Sequence, residues 1–529
     1  MLQAVFSVIC REMREPAPGT RLRMGLFGSG VGRICAVVAE PSAREAAAQL
    51  RRALRETPTV ELRLDWLKND SERHRFLAWL RRSRPRRAVL IATCRRREGG
   101  GLLAGSVQDE LTWLAHAGDA GCLWCDLEVE TLRKLPRNSI RKYGLPRRIL
   151  LSLHDFRRMP PLGPTLGARW RGQVDAIKVA GAACTIADSA RLLRFAARMP
   201  NCVAVPMGEV GLPARLLALR EGSALAYAPV SAATAPGQVS LREMTHLYRA
   251  HALNRQTQVY GVIGDPIAHS LSPLLHNTAF ITRNINAVYV PFLVKNLRDF
   301  LKAAPDFSLR GFSVTLPYKQ SILRHLQDCD ALSAEIGAVN TVVVRRDGSL
   351  YGCNTDYVGV LQALEKKMRL AKSRVLILGA GGSARAAAFA LARAGAAVGI
   401  CARRNAAARE LARAAGAEVV PRRALKTESF DAIVNATPVG MHPDTAISPL
   451  EPGELHCRIV MDLIYRPERT QLLKLAAQKG ITAVSGVEMF LAQGIAQWEL
   501  WMKRRAPEKA MRRAVLSALR EEERGRSSP

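Results

Sequence analysis

Apolar and polar positions follow two rhythms along this chain, one in each half. From residue 34 to 252 eight short apolar runs recur: ICAVVAE (34–40), VELRLDWL (60–67), RAVLIATC (87–94), CLWCDLEV (122–129), RRILLSLHDF (147–156), VDAIKVAG (174–181), NCVAVPMG (201–208) and LAYAPVS (225–231). Segments between them, such as AREAAAQLRRALRE and SARLLRFAARM, carry apolar residues at helical spacing. Eight strand–helix units in this length predict a (β/α)8 barrel over 34–252. Polar side chains near the C-terminal ends of such strands converge on one mouth. Here they are Glu61, Arg63 and Asp65, Thr93 and Arg95, Asp126 and Glu128, then His154 and Lys178. Arg215 and the loop 234–238, with Thr234 and Gln238, come later.

The lone lysine in VDAIKVA stands out. Burial disfavours an ammonium and lowers its ordinary pKa of about 10.4, which supplies the free amine that a Schiff base needs. A lysine paired with a barrel carboxylate is the plainer alternative. A histidine one strand earlier favours chemistry.

The second half changes rhythm at 259–277, VYGVIGDPIAHSLSPLLHN. An apolar strand breaks at Gly264-Asp265-Pro266 and leads through Ser270 and Ser272 into a helix, with Ser272-Pro273 reading as N-cap and first helical residue. A strand end, a turn and serines at a helix start make an oxygen-binding corner for a small hydroxylated anion. An αβ segment comes next, with the runs SVTLPYK, IGAVNT and GCNTD. Lys319 and Asp356 there read either as an acid/base pair or as a surface salt bridge. RVLILGAGGSARAAAFALA (374–392) then gives a buried strand, a glycine-rich turn and a helix. Gly379-x-Gly381-x-x-Ala384 fits the dinucleotide fingerprint, spanning Gly379, Ala380, Gly381, Gly382, Ser383 and Ala384. The next strand ends in Arg403 and Arg404 where an acidic residue would read a ribose hydroxyl. Basic residues suit a 2′-phosphate, so the inferred cofactor is NADP(H). Gly28-x-Gly30-x-x-Arg33 opens no helix and is discounted.

Composition narrows the class. The 529 residues are 48% hydrophobic with no apolar run long enough to span a membrane. The first ten residues are apolar, but charged residues come immediately after them and no cleavage signature is present, which disfavours a secretory signal. The net charge of +32 splits as +3, +15 and +14 over residues 1–33, 34–252 and 253–529. An even spread of this kind argues against a nucleic-acid-binding arm and suits acidic small molecules. The 11 cysteines are scattered, Cys122 and Cys125 being the one close pair, which points to buried thiols in a reducing cytoplasm and to no metal site.

Two resemblances then emerge. Glu61-x-Arg63-x-Asp65, Ser152-x-His154-Asp155-Phe156, Asp175-Ala176-Ile177-Lys178 and Ala235-Pro236-Gly237-Gln238 resemble type I 3-dehydroquinate dehydratase across nearly all of 34–240. That resemblance implies an imine on Lys178, His154 as general acid and base, and Glu61, Arg63, Arg95, Arg215, Thr234 and Gln238 as substrate ligands. In Arg95-Arg96-Arg97-Glu98 the arginine–glutamate spacing is one residue shorter than the family's. Arg95 and Arg96 are both open as the substrate arginine, and Glu98 is the implied group orienting His154. The second half resembles shikimate dehydrogenase over 259–500, through SVTLPYK, IGAVNT, GCNTDYVG, NATPVGM (435–441) and Gly486-Val487-Glu488-Met489 with Gln493. This implies Lys319 and Asp356 as the catalytic dyad and Ser270, Ser272, Thr315, Asn340 and Gln493 as substrate ligands. Thr437, Met441 and Gly486 would join the cofactor site.

The expected architecture is therefore α/β: a TIM barrel, then a substrate-binding domain (256–365) and a Rossmann NADP-binding domain with a returning helix (366–505). Residues 1–33 read as a flexible extension and 506–529 as a charged helix fraying into a tail. The expected protein is a cytoplasmic enzyme, or a plastid one if it comes from a plant, with two consecutive activities. It would dehydrate 3-dehydroquinate and reduce 3-dehydroshikimate to shikimate, with small molecules, not nucleic acid or membrane, as partners. The alternatives are a second half acting on quinate and a silent binding module in one half.

Overall fold

The eight apolar runs form eight parallel strands: β1 Ile34–Val38, β2 Thr59–Arg63, β3 Val89–Thr93, β4 Trp124–Glu128, β5 Arg148–Asp155, β6 Ala176–Ala182, β7 Cys202–Met207 and β8 Ala226–Pro229. The structure is a computed structural model that describes residue 27 and residues 30–527, apart from 84, 86, 137, 138, 164, 165, 167–169, 171 and 231–238. Hydrogen bonding orders the sheet β7-β6-β5-β4-β3-β2-β1-β8. The Ala224 N–H donates to the Cys202 carbonyl at 2.7 Å where β8 approaches β7, so the sheet closes on itself. Helices cover the outside and start where hydroxyls cap them. Ser42 accepts from the Glu45 N–H ahead of Ala43–Glu56, and Thr185 forms a reciprocal capping box with Asp188 ahead of Ile186–Arg198.

One expectation fails at the barrel's base. Phe27, expected in a flexible extension, is 2% exposed and stacks on Trp124 at a centroid distance of 4.2 Å. It joins Cys35, Ile91, Leu150, Ala176, Val203 and Leu225 in one apolar cluster. Arg33 donates to the carbonyls of Leu219 and Ser223 at 2.9 and 3.0 Å. The reason is physical: the strand starts present an apolar ring, and the Phe27 ring set against it removes that surface from water.

The second unit contains two sheets. One comprises β9 Gln258–Gly264, β10 Ala287–Leu293, β11 Leu309–Val314, β12 Asp328–Cys329, β13 Thr341–Val344 and β14 Leu350–Cys353, in the order β10-β9-β11-β13-β14-β12. The other is built from β15 Arg374–Leu378, β16 Ala397–Cys401, β17 Glu418–Val419, β18 Phe430–Asn435, β19 Cys457–Asp462 and β20 Thr482–Val484. Its order, β17-β16-β15-β18-β19-β20, is all parallel and is the doubly wound dinucleotide-binding topology. Strand alternation divides its core between two faces: Val375 and Ile377 enter one cluster, Leu376 and Leu378 the other. The helix Gly486–Met502 returns to the first sheet, where Trp501 Nε1 donates to the Val342 carbonyl at 3.2 Å.

Two further expectations are corrected by the structure. The helix after the serine corner spans Ser272–Thr282 with Leu271 at its N-cap, so Ser272 is its first helical residue and its N–H donates to Ser270 Oγ at 3.3 Å. The C-terminal segment does not fray as a tail up to residue 527. It forms a helix, Glu508–Ser527, that buries Met511, Val515 and Leu519 and pairs Arg512 with Glu488. Apolar residues four apart give it a narrow buried stripe that its many charges mask in the sequence.

Candidate active sites

In the barrel, parallel register sets the site. Ser152 on β5 lies opposite Lys178 on β6, and Glu128 on β4 lies opposite Ser152. Lys178 is 3% exposed, bonded to Asp126, 3.5 Å from Glu61 Oε1 and 4.7 Å from the Tyr227 ring centroid. Glu61 accepts from Thr93 Oγ1 at 2.6 Å. The expectation of a lysine pushed down towards a free amine is not met. Burial does push Lys178 down, but the carboxylates of Asp126 and Glu61 outweigh it and hold the ammonium above its usual range. A proton must therefore leave Nζ before it attacks a carbonyl.

His154 is the nearby group suited to take it. Burial, then the positive charges of Arg95 and Lys178, push its pKa well below the usual histidine range, so it is neutral. Its Nδ1 bonds Glu128 Oε2 at 3.0 Å, which leaves Nε2 for proton transfer. Arg95 Nε pairs with Glu128 Oε1 at 2.7 Å and a guanidinium nitrogen lies 3.9 Å from Asp126. Arg96 turns away to Glu110 at 2.8 Å and Glu98 at 2.6 Å, so of the two candidate arginines it is Arg95 that joins the cluster. Glu98 does not meet His154; it pairs with Arg96 and with Lys134 at 2.9 Å on the surface. Arg63 forks onto Asp65 at 2.9 and 2.7 Å. Arg215 donates to the Pro206 carbonyl at 2.9 Å, and burial pushes its pKa down to about 10. Ser152 Oγ and Asp126 Oδ1 are buried with no hydrogen-bond partner among the described residues, as groups that await a ligand would be. Thr234 and Gln238 lie outside the described residues. Cys122 and Cys125 are buried, and burial raises both thiols. Among the described residues no cluster of three or more His, Cys, Asp or Glu could hold a metal.

In the second unit a cavity of about 560 Å³ is lined by segments from both sheets. Lys319 Nζ donates to Asp356 Oδ2 at 2.5 Å and to Ser383 Oγ at 2.9 Å. Asn340 Nδ2 donates to Asp356 Oδ1 at 2.7 Å and reaches Gln493 Oε1 at 3.4 Å. Lysine, aspartate, asparagine and glutamine thus form one hydrogen-bonded cluster, with Ser270, Ser272 and Thr315 on the same cavity wall. Thr315 sits so close to the strand end that a Cβ on Gly264 would lie 2.5 Å from its Cγ2, which is why the turn there requires glycine. The residues missed from sequence are Tyr465, whose hydroxyl bonds Ser270, and Tyr289, which bonds Ser272 and donates to Ser313 Oγ at 2.6 Å. Gln497 was missed as well. It accepts from Ser313 at 2.8 Å and donates to Thr341 Oγ1 at 3.0 Å and the Asn340 carbonyl at 3.2 Å. Tyr465 stands in the run DLIYRP (462–467), but no local pattern gives any of the three its partner, because each is recruited by a segment distant in the chain.

The glycine turn fits a dinucleotide. Gly379 has φ +110°, and a Cβ there would stand 3.1 Å from the Ala436 carbonyl oxygen. A Cβ on Gly381 would meet nothing within 4 Å, so the backbone at the start of helix Gly382–Arg393 is open to a phosphate. Arg403 and Arg404 line the same cavity, exposed and in no ion pair among the described residues. Ala380, Gly382, Ser383, Thr437 and Met441 line it too, while Ala384 and Gly486 do not. Ala384 is buried beneath the turn. Gly486 lets its helix start against β19's exit, where a Cβ would lie 2.4 Å from the Ile464 carbonyl oxygen.

A closed (β/α)8 sheet around a buried lysine, followed by a dinucleotide fold beside a lysine–aspartate pair, defines a fusion of two enzymes. Comparison with known proteins agrees. Residues 34–255 match the family model for type I 3-dehydroquinase, 262–342 that for the shikimate dehydrogenase substrate binding domain, and 486–516 that for the shikimate 5′-dehydrogenase C-terminal domain. The bifunctional 3-dehydroquinate dehydratase/shikimate dehydrogenase, chloroplastic, of Arabidopsis thaliana is 33% identical over 474 residues, covering 85% of this chain and 78% of that protein. The shikimate dehydrogenase (NADP(+)) of Syntrophobacter fumaroxidans is 40% identical over 281 residues, 50% of this chain and 96% of its own length. That of Pyrococcus furiosus is 37% identical over 277 residues, 51% of this chain and 99% of its own. The chain belongs to the bifunctional 3-dehydroquinate dehydratase/shikimate dehydrogenase family.

Proposed function

We propose that the chain catalyses two consecutive steps of the shikimate pathway. The barrel dehydrates 3-dehydroquinate to 3-dehydroshikimate, and the second unit reduces that product to shikimate with NADPH. The family membership carries the pair of activities, and the buried Lys178–His154 cluster supports the first mechanism. In that mechanism the Lys178 ammonium gives a proton to neutral His154, and Nζ then attacks the ketone carbon. Water leaves and an imine forms. The protonated imine withdraws electrons, so the proton α to it is lost and the β-hydroxyl departs as water. Hydrolysis of the imine returns Lys178 and releases the enone. Arg215, Arg95, Arg63, Glu61, Thr234 and Gln238 bind the carboxylate and hydroxyls.

In the second unit NADPH, when bound, supplies the reducing equivalent to the ketone. Lys319 holds one ammonium proton towards the carbonyl oxygen while Asp356 and Ser383 take the other two, so the proton is delivered at a fixed place. Ser270 and Ser272 receive the substrate carboxylate, Asn340, Thr315 and Gln493 its hydroxyls. Gly379, Ala380, Gly381, Gly382 and Ser383 would cradle the pyrophosphate, Arg403 with Arg404 would take the 2′-phosphate, and Thr437 and Met441, on the same cavity, would complete the cofactor site. Among the described residues no helix is long and apolar enough to cross a membrane. The cytoplasm, or a plastid as in the chloroplastic relative, is the compartment we assign.

Reduction with borohydride in the presence of 3-dehydroquinate tests the first mechanism. A mass adduct on the peptide containing Lys178 is expected; its absence, or full dehydratase activity in Lys178→Ala, would overturn the reading.

A further inference from the structure

The barrel mechanism needs a neutral imidazole that presents one fixed nitrogen to the substrate, and that requires a second group to hold the other nitrogen. We propose that Glu128, at the end of β4, is the positioning residue that holds His154, in place of Glu98 in the loop after β3. The proposal rests on the lysine mechanism of the barrel.

Geometry carries it. Glu128 and His154 sit on neighbouring strands, so the sheet register itself brings them together. Glu128 is 4% exposed, with Oε2 at 3.0 Å from His154 Nδ1 and Oε1 at 2.7 Å from Arg95 Nε. One carboxylate thus spans the general base and the substrate arginine. Phe156 stacks on the imidazole with ring centroids 5.9 Å apart. The charged groups facing the pair are Arg95 from the loop after β3, Asp126 from β4, Lys178 from β6 and Glu61 from β2.

Glu98 is placed elsewhere by the fold of its own loop. The Leu103 N–H donates to the Arg95 carbonyl at 3.1 Å, and the Arg97 N–H to the Leu103 carbonyl at 3.1 Å. The turn is so tight that a Cβ on Gly101 would fall 2.1 Å from the Arg95 carbonyl oxygen. This closes the short stretch between Arg95 and Gly101 and turns the Glu98 side chain, 65% exposed, out to Arg96 and Lys134. For Glu98 to reach His154 the loop would have to open and both ion pairs break.

The chemistry accords with this placement. With Glu128 ionised and accepting from Nδ1–H, the lone pair of His154 lies on Nε2, where it takes the proton that leaves Lys178. The imidazolium so formed keeps its Nδ1 proton against Glu128 and returns the Nε2 proton to the departing hydroxyl. Burial, reinforced by Asp126, pushes Glu128 up to about 7, while Arg95 opposes that rise. Arg95 therefore helps keep Glu128 ionised near neutral pH as well as binding substrate.

The test compares Glu128→Gln with Glu98→Gln in the full chain, reading dehydratase kcat, KM and pH profile, borohydride trapping on Lys178, and the dehydrogenase rate as an internal check of folding. Glu128→Gln is expected to lower kcat by about 10² or more, since misdirecting a general base forfeits its catalytic factor. KM for 3-dehydroquinate should move little, the lysine should still be trapped, and the pH profile should lose the limb near neutrality. Glu98→Gln should leave kcat within about twofold, as a surface ion pair would. Loss of activity in Glu98→Gln with full activity in Glu128→Gln would overturn the assignment, as would a Glu128→Gln effect confined to KM. If the unaltered chain gives no adduct on Lys178, the lysine mechanism falls and takes this assignment with it; an adduct together with a fully active Glu128→Gln overturns this assignment alone. Should Glu128→Gln not fold, Glu128→Asp decides: a lowered kcat with a displaced pH profile supports the role, and wild-type values overturn it.

Discussion

His276 is fully buried between Tyr289 and Trp501, with ring centroids 4.4 and 5.3 Å away. Burial pushes its pKa down to about 3, with the neighbouring Gln497 opposing. A histidine depressed in the fold stabilises fully above its unfolded value of about 6.5 and loses that contribution as pH falls towards the folded value. The urea midpoint of the dehydrogenase unit is therefore expected to fall between about pH 6.5 and 4, and His276→Phe is expected to flatten that dependence. An equally steep fall in the variant would refute the assignment. At this same scale the sequence shows which residues are chemical and not whom they meet. Lys178 in an apolar run is legible as special; its bond to Asp126 and its resulting protonation are not, because the two are 52 residues apart and joined only by the barrel.

Elements were more legible than contacts. All eight barrel runs became strands because β-branched and apolar residues cluster in short blocks between capped helices. The fingerprint turn was legible too, since Gly379 needs a positive φ and Gly381 must leave open space. The two arginines beyond the turn give a prediction: Arg403→Ala with Arg404→Asp should lower kcat/KM for NADPH at least about tenfold, by loss of charge-assisted contacts, with less effect on NADH. Unchanged preference in steady-state assays would remove both arginines from the phosphate site. The last helix was legible as a charged helix, but its buried stripe was not, because its charges outnumber its apolar residues. Deleting 506–529 removes Met511, Val515 and Leu519 from the core, each worth about 1.5–3 kcal/mol. The dehydrogenase unit of the truncated chain should unfold at a lower urea concentration; an unchanged midpoint would show the helix to be dispensable.

Across the whole molecule, two sites with separate lysines predict separable activities. Lys178→Ala should abolish dehydration and leave shikimate oxidation intact, while Lys319→Ala should lose about 10² or more of the dehydrogenase rate and leave dehydration intact. Neither variant alone should convert 3-dehydroquinate to shikimate with NADPH, whereas a mixture of the two should, because the intermediate can pass through solution. Failure of the mixture, with each partner's remaining activity intact, would show that 3-dehydroshikimate does not leave the chain on which it forms.

The sequence by itself determined the order of the two enzymes, their fold classes and most of the chemical inventory. Periodicity reports the faces of local elements, and short motifs report turns that few residues can make. Tertiary structure alone decided the partners: Asp126 on Lys178, Glu128 on His154, Ser383 on Lys319, Tyr465 on Ser270, and Phe27 across the barrel's base. A hydrogen bond or ion pair between distant segments depends on strand register and loop closure, which no local pattern encodes. Glu98 illustrates this, since its loop closes through the Leu103–Arg95 hydrogen bond and turns it to Arg96 and Lys134.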